Sequence, residues 1–177
     1  MSWSSGGRLA EEIWNAVEEH IPEDKKPEVA LAIVKAFEDR DCDTMEYYDF
    51  YHLARPTCFI SGHLDLTPEE FDEHYRPRID EMIERGCRFV VGDARGADTM
   101  AQDHLLSRGC KYKVMVYHMF DKPRYCAYEW WDKEGGWESD EERDAVMTQS
   151  SDVDIAWVRP GREESGTARS LERRKQK

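Results

Sequence analysis

Short β-rich runs alternate with helix patterns through most of this chain, and that alternation constrains its fold more than any other feature. The runs are TCFISG at residues 57–62, CRFVVGD at 87–93, KYKVMVYHM at 111–119 and VDIAWVR at 153–159. The segments between and after them carry apolar residues at helical spacing. Strands that alternate with helices predict a mainly parallel sheet covered on both faces, which is a Rossmann-like three-layer α/β/α fold.

The helix predicted over residues 67–86 has the clearest boundaries. Thr67 is its expected N-cap, Pro68 stands at the first helical position, and Glu70 completes a capping box. A glycine closes this helix and also the next one. The later helices are predicted at residues 96–109, 140–152 and 165–177.

Residues 1–54 are expected to form a small N-terminal helical extension. Leu9 and Ile13 lead an apolar stripe at four-residue spacing, which predicts an amphipathic helix that ends at Pro22. A second helix pattern follows, and then a polar break with a short aromatic helix or turn. Residues 55–177 are predicted to form the Rossmann-like domain.

Composition excludes several classes of function. The 177 residues carry 38 acidic and 25 basic side chains, a net charge of −13, which makes nucleic acid and anionic membranes unlikely partners. No apolar run approaches the ~18 residues of a membrane helix, and no export signal is visible. The five cysteines contain no CxxC and the histidines show no metal-ligand spacing. We therefore expect a cytoplasmic protein without a metal or a cofactor.

Three glycine turns bring polar residues to the predicted strand ends, where parallel sheets bind their ligands. Glycine lets the backbone approach a ligand, and the helix N-terminus that follows favours an anion. A phosphate group is therefore the expected ligand at these turns. The candidate ligand-binding residues are Ser61, Gly62, His63, Gly92, Arg95, Gly96, Ala97, Arg143, Ser165, Gly166 and Thr167.

The charged residues of the second turn allow more than one role. Asp93 and Asp98 fit ribose-hydroxyl acceptors or a general acid–base pair, but they also fit a turn residue and a helix cap. Arg95 could contact a phosphate or pair with Asp98. His63 could belong to the site or to the surface. The aromatic-rich segment 125–137 could stack on a base, or it could pack onto the protein body or onto a second subunit.

At these residues the chain resembles the SLOG superfamily of Rossmann-like nucleotide-binding domains, and within it the YspA-like branch. The hallmark of that branch, G-(G/D)-A-R-G-A-D-x-x-A, is matched from Gly92 to Ala101. A tryptophan- and glycine-rich loop, a helix like Arg-Asn-x-x-Met and a Gly-Thr turn follow in the same order. Arg143 falls in register, with Asp144 where asparagine is more usual. The resemblance covers residues 57–174.

The resemblance implies binding of a nucleotide or a nucleotide-derived ligand, with a possible sensing role, in a domain that often forms homodimers. Enzymes of the superfamily cleave or transfer the N-glycosidic bond of nucleotides, typically with a glutamate near the final glycine turn. Here no glutamate stands in the three residues after Gly166 and Thr167. Candidate catalytic residues are therefore Asp93, Asp98 and Glu164. A third hypothesis is a non-catalytic scaffold that acts through the acidic helical extension.

Overall fold

The computed structural model describes residues 6–39 and 49–177. The chain divides into two compact units, residues 1–56 and residues 57–177. The sequence places the boundary between the predicted parts after residue 54. Most of the polar break predicted between the second helix and the first strand lies outside the described residues.

The N-terminal unit is helical, and its first helix buries Ala10 and Trp14, which stand alongside Leu9 and Ile13 in the predicted apolar stripe. Its elements are α1 (Gly6–Val17), α2 (Lys26–Glu38) and α3 (Asp49–Ala54), with 3-10 turns at Glu18–His20 and Glu23–Lys25. Ala10 and Trp14 are buried, whereas Leu9 is 48% and Ile13 39% exposed. Two apolar stripes lie side by side on α1, and the one that carries the large indole faces the core, where Trp14 stacks on Phe50.

The second unit is a three-layer α/β/α Rossmann-like fold, as predicted, and all five strands of its sheet run parallel. The strands are β1 (Thr57–Ser61), β2 (Arg88–Val91), β3 (Val114–Met119), β4 (Asp132–Trp137) and β5 (Val153–Ala156). Their spatial order is β4-β3-β2-β1-β5. The strand order therefore reverses between β1 and β5, where Ser61 lies beside Ala156 at the carboxyl ends. Open α/β sheets bind their ligands at such a point.

Two helical layers cover the faces of this sheet. One contains α4 (Pro68–His74), α5 (Arg76–Glu84) and α6 (Ala97–Ser107), and the other α7 (Asp140–Gln149) and α8 (Gly166–Gln176). Because successive strand residues point to opposite faces, Cys58 and Ile60 lie in the core beneath the first layer. Phe59 packs on the other side with Met147 of α7.

The helix predicted over residues 67–86 is wrong as a single element, since the structure has α4 and α5 there. The chain leaves regular helical geometry at Tyr75, with φ −115° and ψ −50°. Pro77 follows at the start of α5, where a proline has no N–H to continue the α4 hydrogen bonds. The predicted capping box is confirmed, because Thr67 N donates to Glu70 Oε2 at 2.9 Å and Glu70 N to Thr67 Oγ1 at 3.3 Å.

β4 is a strand that the sequence pattern did not indicate. It lies within the segment predicted to be an aromatic-rich loop, at the edge of the sheet, and pairs with β3 through an irregularity near Met119. Its sequence DKEGGW is almost entirely exposed and lacks apolar alternation. Backbone pairing with a neighbouring strand, which a periodicity argument cannot detect, therefore holds it in place.

The described part of the chain has no helix that is long and apolar enough to cross a membrane. None of its cysteines, Cys58, Cys87, Cys110 and Cys126, forms a disulfide bond with another described residue. Cys42 lies outside the described residues. Nor do the described His, Cys, Asp and Glu residues form any group of three that could hold a metal ion.

Candidate functional site

A cavity of about 550 Å³ opens at the carboxyl ends of β1 and β2, and the first turns of α7 and α8 also line it. Its volume falls within the roughly 300–1,000 Å³ of small-molecule sites. The structure brings most of the candidate ligand-binding residues to its wall. Those that line it are Ser61, Gly62, His63, Gly92, Arg95, Arg143, Ser165, Gly166 and Thr167, together with Asp98 from the candidate catalytic set. Of the other described candidates, Asp93, Gly96, Ala97 and Glu164 do not line it.

Gly62 and Gly96 leave no space for a side chain. A Cβ on Gly62 would lie 2.4 Å from both Ala97 Cβ and Tyr75 Oη. Gly96 has φ +80°, and its Cβ would lie 2.4 Å from the carbonyl oxygen of His63. Ala97 N donates to that same carbonyl at 3.2 Å. These glycines therefore allow the start of α6 to sit against the end of β1, and they build the frame of the cavity.

Tyr75 is a positioning residue that the sequence analysis missed. Its ring is fully buried, and its hydroxyl donates to Ser61 O at 3.0 Å and accepts from Trp157 N at 3.1 Å. One side chain thus ties together the ends of β1 and β5. Burial raises the pKa of this phenol to about 12, so the hydroxyl keeps its proton. Tyr75 stands in an ordinary helix pattern, and no local signal distinguishes it.

His63 is buried at the cavity wall, with only 5% of its surface exposed. Its Nε2 accepts a hydrogen bond from Arg159 N at 2.9 Å, which places the proton of the neutral ring on Nδ1. Burial, and then the charge of Arg159, lowers the pKa of His63 below its ordinary value. At neutral pH the ring is therefore uncharged and its Nδ1–H is a hydrogen-bond donor.

Arg143 lines the cavity but is already committed to protein carboxylates. It is 5% exposed and forms ion pairs with Asp93 at 3.1 Å, Asp140 at 3.2 Å and Asp144 at 2.9 Å. Since its charge is shared among three acids, it offers a bound anion less than an unpaired guanidinium would. This weakens the predicted role of Arg143 as an anion contact.

Asp93 is neither a surface turn residue nor a residue of the cavity wall. It is 1% exposed, and Arg124 donates to its Oδ1 from Nη2 at 2.6 Å and to its Oδ2 from Nε at 3.1 Å and from its backbone N at 2.9 Å. Burial alone would raise the pKa of Asp93, but these hydrogen bonds hold it below its usual value. Asp93 therefore anchors Arg124 and Arg143.

Asp98 lies at the cavity wall with 8% of its surface exposed. It does not cap α6, whose N-cap is Gly96; its Oδ2 accepts from Ala94 N at 3.0 Å. Gly92 leaves room for this carboxyl, because a Cβ there would lie 2.3 Å from Asp98 Oδ2. Burial raises the pKa of Asp98 to about 7, although the charge of Arg143 opposes the rise. Near neutral pH the group exists in both protonation states.

The N-terminus of α8 is the part of the wall best suited to an anion. Ser165 caps this helix, and the Thr167 side chain behind it is 5% exposed at the cavity. Arg169 and Arg173 of α8 also line the cavity, and neither forms an ion pair with a described residue. Unsatisfied N–H groups and a positive dipole end add to these charges.

Ser61 is the clearest sign that something polar enters the cavity. It is 7% exposed, and its Oγ is buried without a hydrogen-bond partner among the described residues. Ser61 is two residues after Phe59 on β1, so its side chain points to the same face, and both residues line the cavity. A buried hydroxyl without a partner costs about 1–3 kcal/mol, which a bound ligand or water would offset.

Arg95 lies at the cavity, whereas the aromatic-rich segment lies away from it. Arg95 is exposed at the cavity and makes no ion pair with Asp98 or with another described residue. Trp131 is 3% exposed and donates from Nε1 to Cys110 O at 2.9 Å, whereas Trp130 is 74% exposed. The aromatic residues of segment 125–137 do not line the cavity. Trp131 follows the packing alternative.

No family model, curated protein or solved structure matches this chain. The SLOG resemblance of residues 57–174 therefore stays a prediction based on the motifs of the chain itself.

Proposed function

We propose that the protein binds a nucleotide or a nucleotide-derived ligand in this cavity, with a phosphate at the N-terminus of α8. The observation that carries the proposal is the buried, unpartnered hydroxyl of Ser61 in a cavity at the reversal point of a parallel sheet. The same cavity receives the first turn of α8, so that a polar wall and an anion-favouring helix end face one ligand.

The charges around the cavity support an anionic ligand. Arg95, Arg169 and Arg173 line it without an ion pair to a described carboxylate. The wall as a whole carries five acidic and five basic residues, so the support for an anion comes from the position of Arg169 and Arg173 on α8 and not from an excess of positive charge. Guanidinium groups bind phosphate oxygens through paired hydrogen bonds, and a phosphate would give these arginines the partner that they lack.

A thermal-shift screen of nucleotides, nucleotide sugars and cyclic or ADP-ribose-type compounds tests the proposal. A ligand at 100 times its Kd stabilises the folded state by about 2.7 kcal/mol, which corresponds to a shift of several degrees. We expect Arg95→Ala and Arg169→Ala to lose the shift. Arg8→Ala, in the N-terminal unit, removes the same charge and should keep it. If no compound raises the Tm, the proposal is wrong and the result supports the scaffold hypothesis.

Cleavage of an N-glycosidic bond is a second candidate function, and one observation favours it. The pKa of Asp98 is raised to about 7, which suits a group that gives a proton to a leaving base. The other candidate acids add no support, because Asp93 is held by arginines and Glu164 does not line the cavity. Chromatography for released base tests this candidate function. Asp98→Asn should abolish the release of base while the variant still binds nucleotide.

A further inference from the structure

We propose that Asp144 makes the cavity selective for ligands whose sugar carries a free vicinal diol, so that the protein distinguishes ribonucleotides from 2′-deoxyribonucleotides. This inference rests on the proposed function and adds the identity of the sugar to it. It is carried by the geometry of two carboxyl groups in the wall and by the unpartnered Ser61 hydroxyl of the same cavity.

Asp144 presents one of its oxygens to the start of α8. Its Oδ1 accepts from Nε of Arg143 at 3.2 Å and from Nη2 at 2.9 Å. Its Oδ2 accepts from no described residue, is not sealed in the interior, and lies 3.9 Å from where a Cβ on Gly166 would be. The free oxygen therefore stands beside the turn where the phosphate is proposed to bind.

Asp98 offers a second acceptor in the same wall. Its Oδ2 is used by Ala94 N at 3.0 Å, and its Oδ1 accepts from no described residue. Two carboxyl oxygens are thus available to a ligand in one cavity, and the charge of Asp144 acts on Asp98, so the two groups lie near each other. In their ionised forms these groups only accept hydrogen bonds, so the complementary group carries two neighbouring donors, as the 2′- and 3′-hydroxyls of ribose do.

The charge balance of the wall favours neutral donors over a cationic group. The basic residues of the wall are Arg95, Arg143, Arg162, Arg169 and Arg173, and the acidic ones are Asp65, Asp98, Asp140, Glu141 and Asp144. Asp144 in particular already has the guanidinium of Arg143 at 2.9 Å. A second cation would therefore gain little from Asp144, whereas a hydroxyl gains a charge-assisted hydrogen bond.

Selectivity follows because a 2′-deoxy ligand leaves one of these carboxyl oxygens without a donor inside the occupied cavity. Sites built to bond a hydroxyl reject the analogue that lacks it, since the site keeps the cost of the unpaired group. We expect the Kd of a 2′-deoxyribonucleotide to be at least roughly tenfold higher than that of its ribonucleotide, which is the effect of one hydrogen bond to a charged group.

The test measures Kd by titration calorimetry for AMP, GMP, CMP and UMP and for their 2′-deoxy counterparts. Ribose 5-phosphate and 2-deoxyribose 5-phosphate repeat the comparison without a base. Asp144→Ala should bring the deoxy-to-ribo ratio of Kd towards one by weakening only the ribose ligands. Asp144→Asn should lower it less, because a neutral hydrogen bond is about half as strong as a charged one. Glu142→Gln removes an exposed charge on the same helix and should leave the ratio unchanged.

The outcomes separate this inference from the function on which it rests. Equal affinity for ribose and deoxyribose ligands in the unaltered protein overturns the inference and leaves nucleotide binding in place. Absence of binding by every compound overturns both. If Asp144→Ala keeps a tenfold preference for ribose over deoxyribose ligands, Asp144 is not the source of the selectivity. If Asp144→Ala does not fold, Asp144→Asn decides in the same way, because its amide oxygen can still accept from Arg143.

Discussion

Replacement of Gly96 by alanine tests the close contact between the start of α6 and the end of β1. Gly96 has φ +80°, and a Cβ there would lie 2.4 Å from His63 O and 2.6 Å from both C and O of Leu64. All three neighbours are backbone atoms, so they cannot move aside as a side chain could. The substitution must therefore displace either the loop after β1 or the first turn of α6.

The magnitude follows from comparison with Gly109, which follows α6 and has nearly the same φ. Its φ is +79°, but a Cβ there would have no atom within 4 Å. Gly109→Ala thus costs only the left-handed strain, roughly 1–2 kcal/mol. Gly96, with φ +80° and ψ −121°, lies in a region that is no easier for alanine to adopt, and the separation of packed backbone adds the cost of core overpacking, about 1–3 kcal/mol more. We expect a total loss of about 3 kcal/mol or more.

Thermal unfolding of the two variants measures this difference. Each kcal/mol lowers the Tm of a domain of this size by roughly 3 °C, so Gly96→Ala should lose about 9 °C and Gly109→Ala about half as much. Gly96→Ala should also weaken the binding of any nucleotide ligand, because His63 and Leu64 line the cavity. Equal losses of Tm in both variants would refute the reasoning, since they would mean that φ alone matters.

Three further predictions concern buried side chains. The folded state favours protonated Asp98, whose pKa is raised to about 7, so its contribution to the free energy of unfolding falls as the pH rises from about 4 to about 7. The free energy of unfolding of Asp98→Asn should therefore rise relative to that of the unaltered protein as the pH rises. Urea titrations that find the same difference between the two proteins at every pH would contradict this. Asp93 has a lowered pKa, so its contribution is present above about pH 4 and is lost below it. Asp93→Asn should cost about 3–5 kcal/mol at neutral pH and less in acid by the same assay. Trp131→Ala should cost about 3–5 kcal/mol whereas exposed Trp130→Ala costs little, and calorimetry should find nucleotide affinity unchanged in Trp130→Ala.

The sheet was predictable from sequence where its strands are buried on both faces. β1, β2 and β3 carry apolar runs because helices cover both sides of them, whereas β5 is only partly buried and is interrupted by Asp154. β4 escaped prediction because it is an exposed edge strand without an apolar alternation, and it pairs with β3 through its backbone. The division between α4 and α5 was indicated only by Pro77, and a helical period on both sides concealed it.

The position of the candidate site was predictable for a different reason. Carboxyl ends of parallel strands meet at one edge, so residues as distant as Ser61 and Thr167 could be expected together before any contact was known. The ion-pair partners could not be predicted in this way. Arg124 reaches Asp93 from a loop 31 residues away, and the path of that loop depends on β4. Sequence therefore predicted the residues of the wall better than it predicted which of their charges remain free.

The three glycine turns do different work, and that difference decides where ligand chemistry can reside. The space that a Cβ would take at Gly62 and Gly96 is already occupied by protein atoms at 2.4 Å. At Gly166 the nearest atoms to such a Cβ lie at 3.9 Å and 4.0 Å. The first two turns therefore build the frame, and the open turn at α8 is the one with room for a ligand beside its N–H groups. A substitution in the frame should lower stability and affinity together, as in Gly96→Ala. A substitution at the open end, such as Arg169→Ala, should lower affinity at nearly constant Tm, and that contrast distinguishes a binding cavity from a set of tightly packed turns.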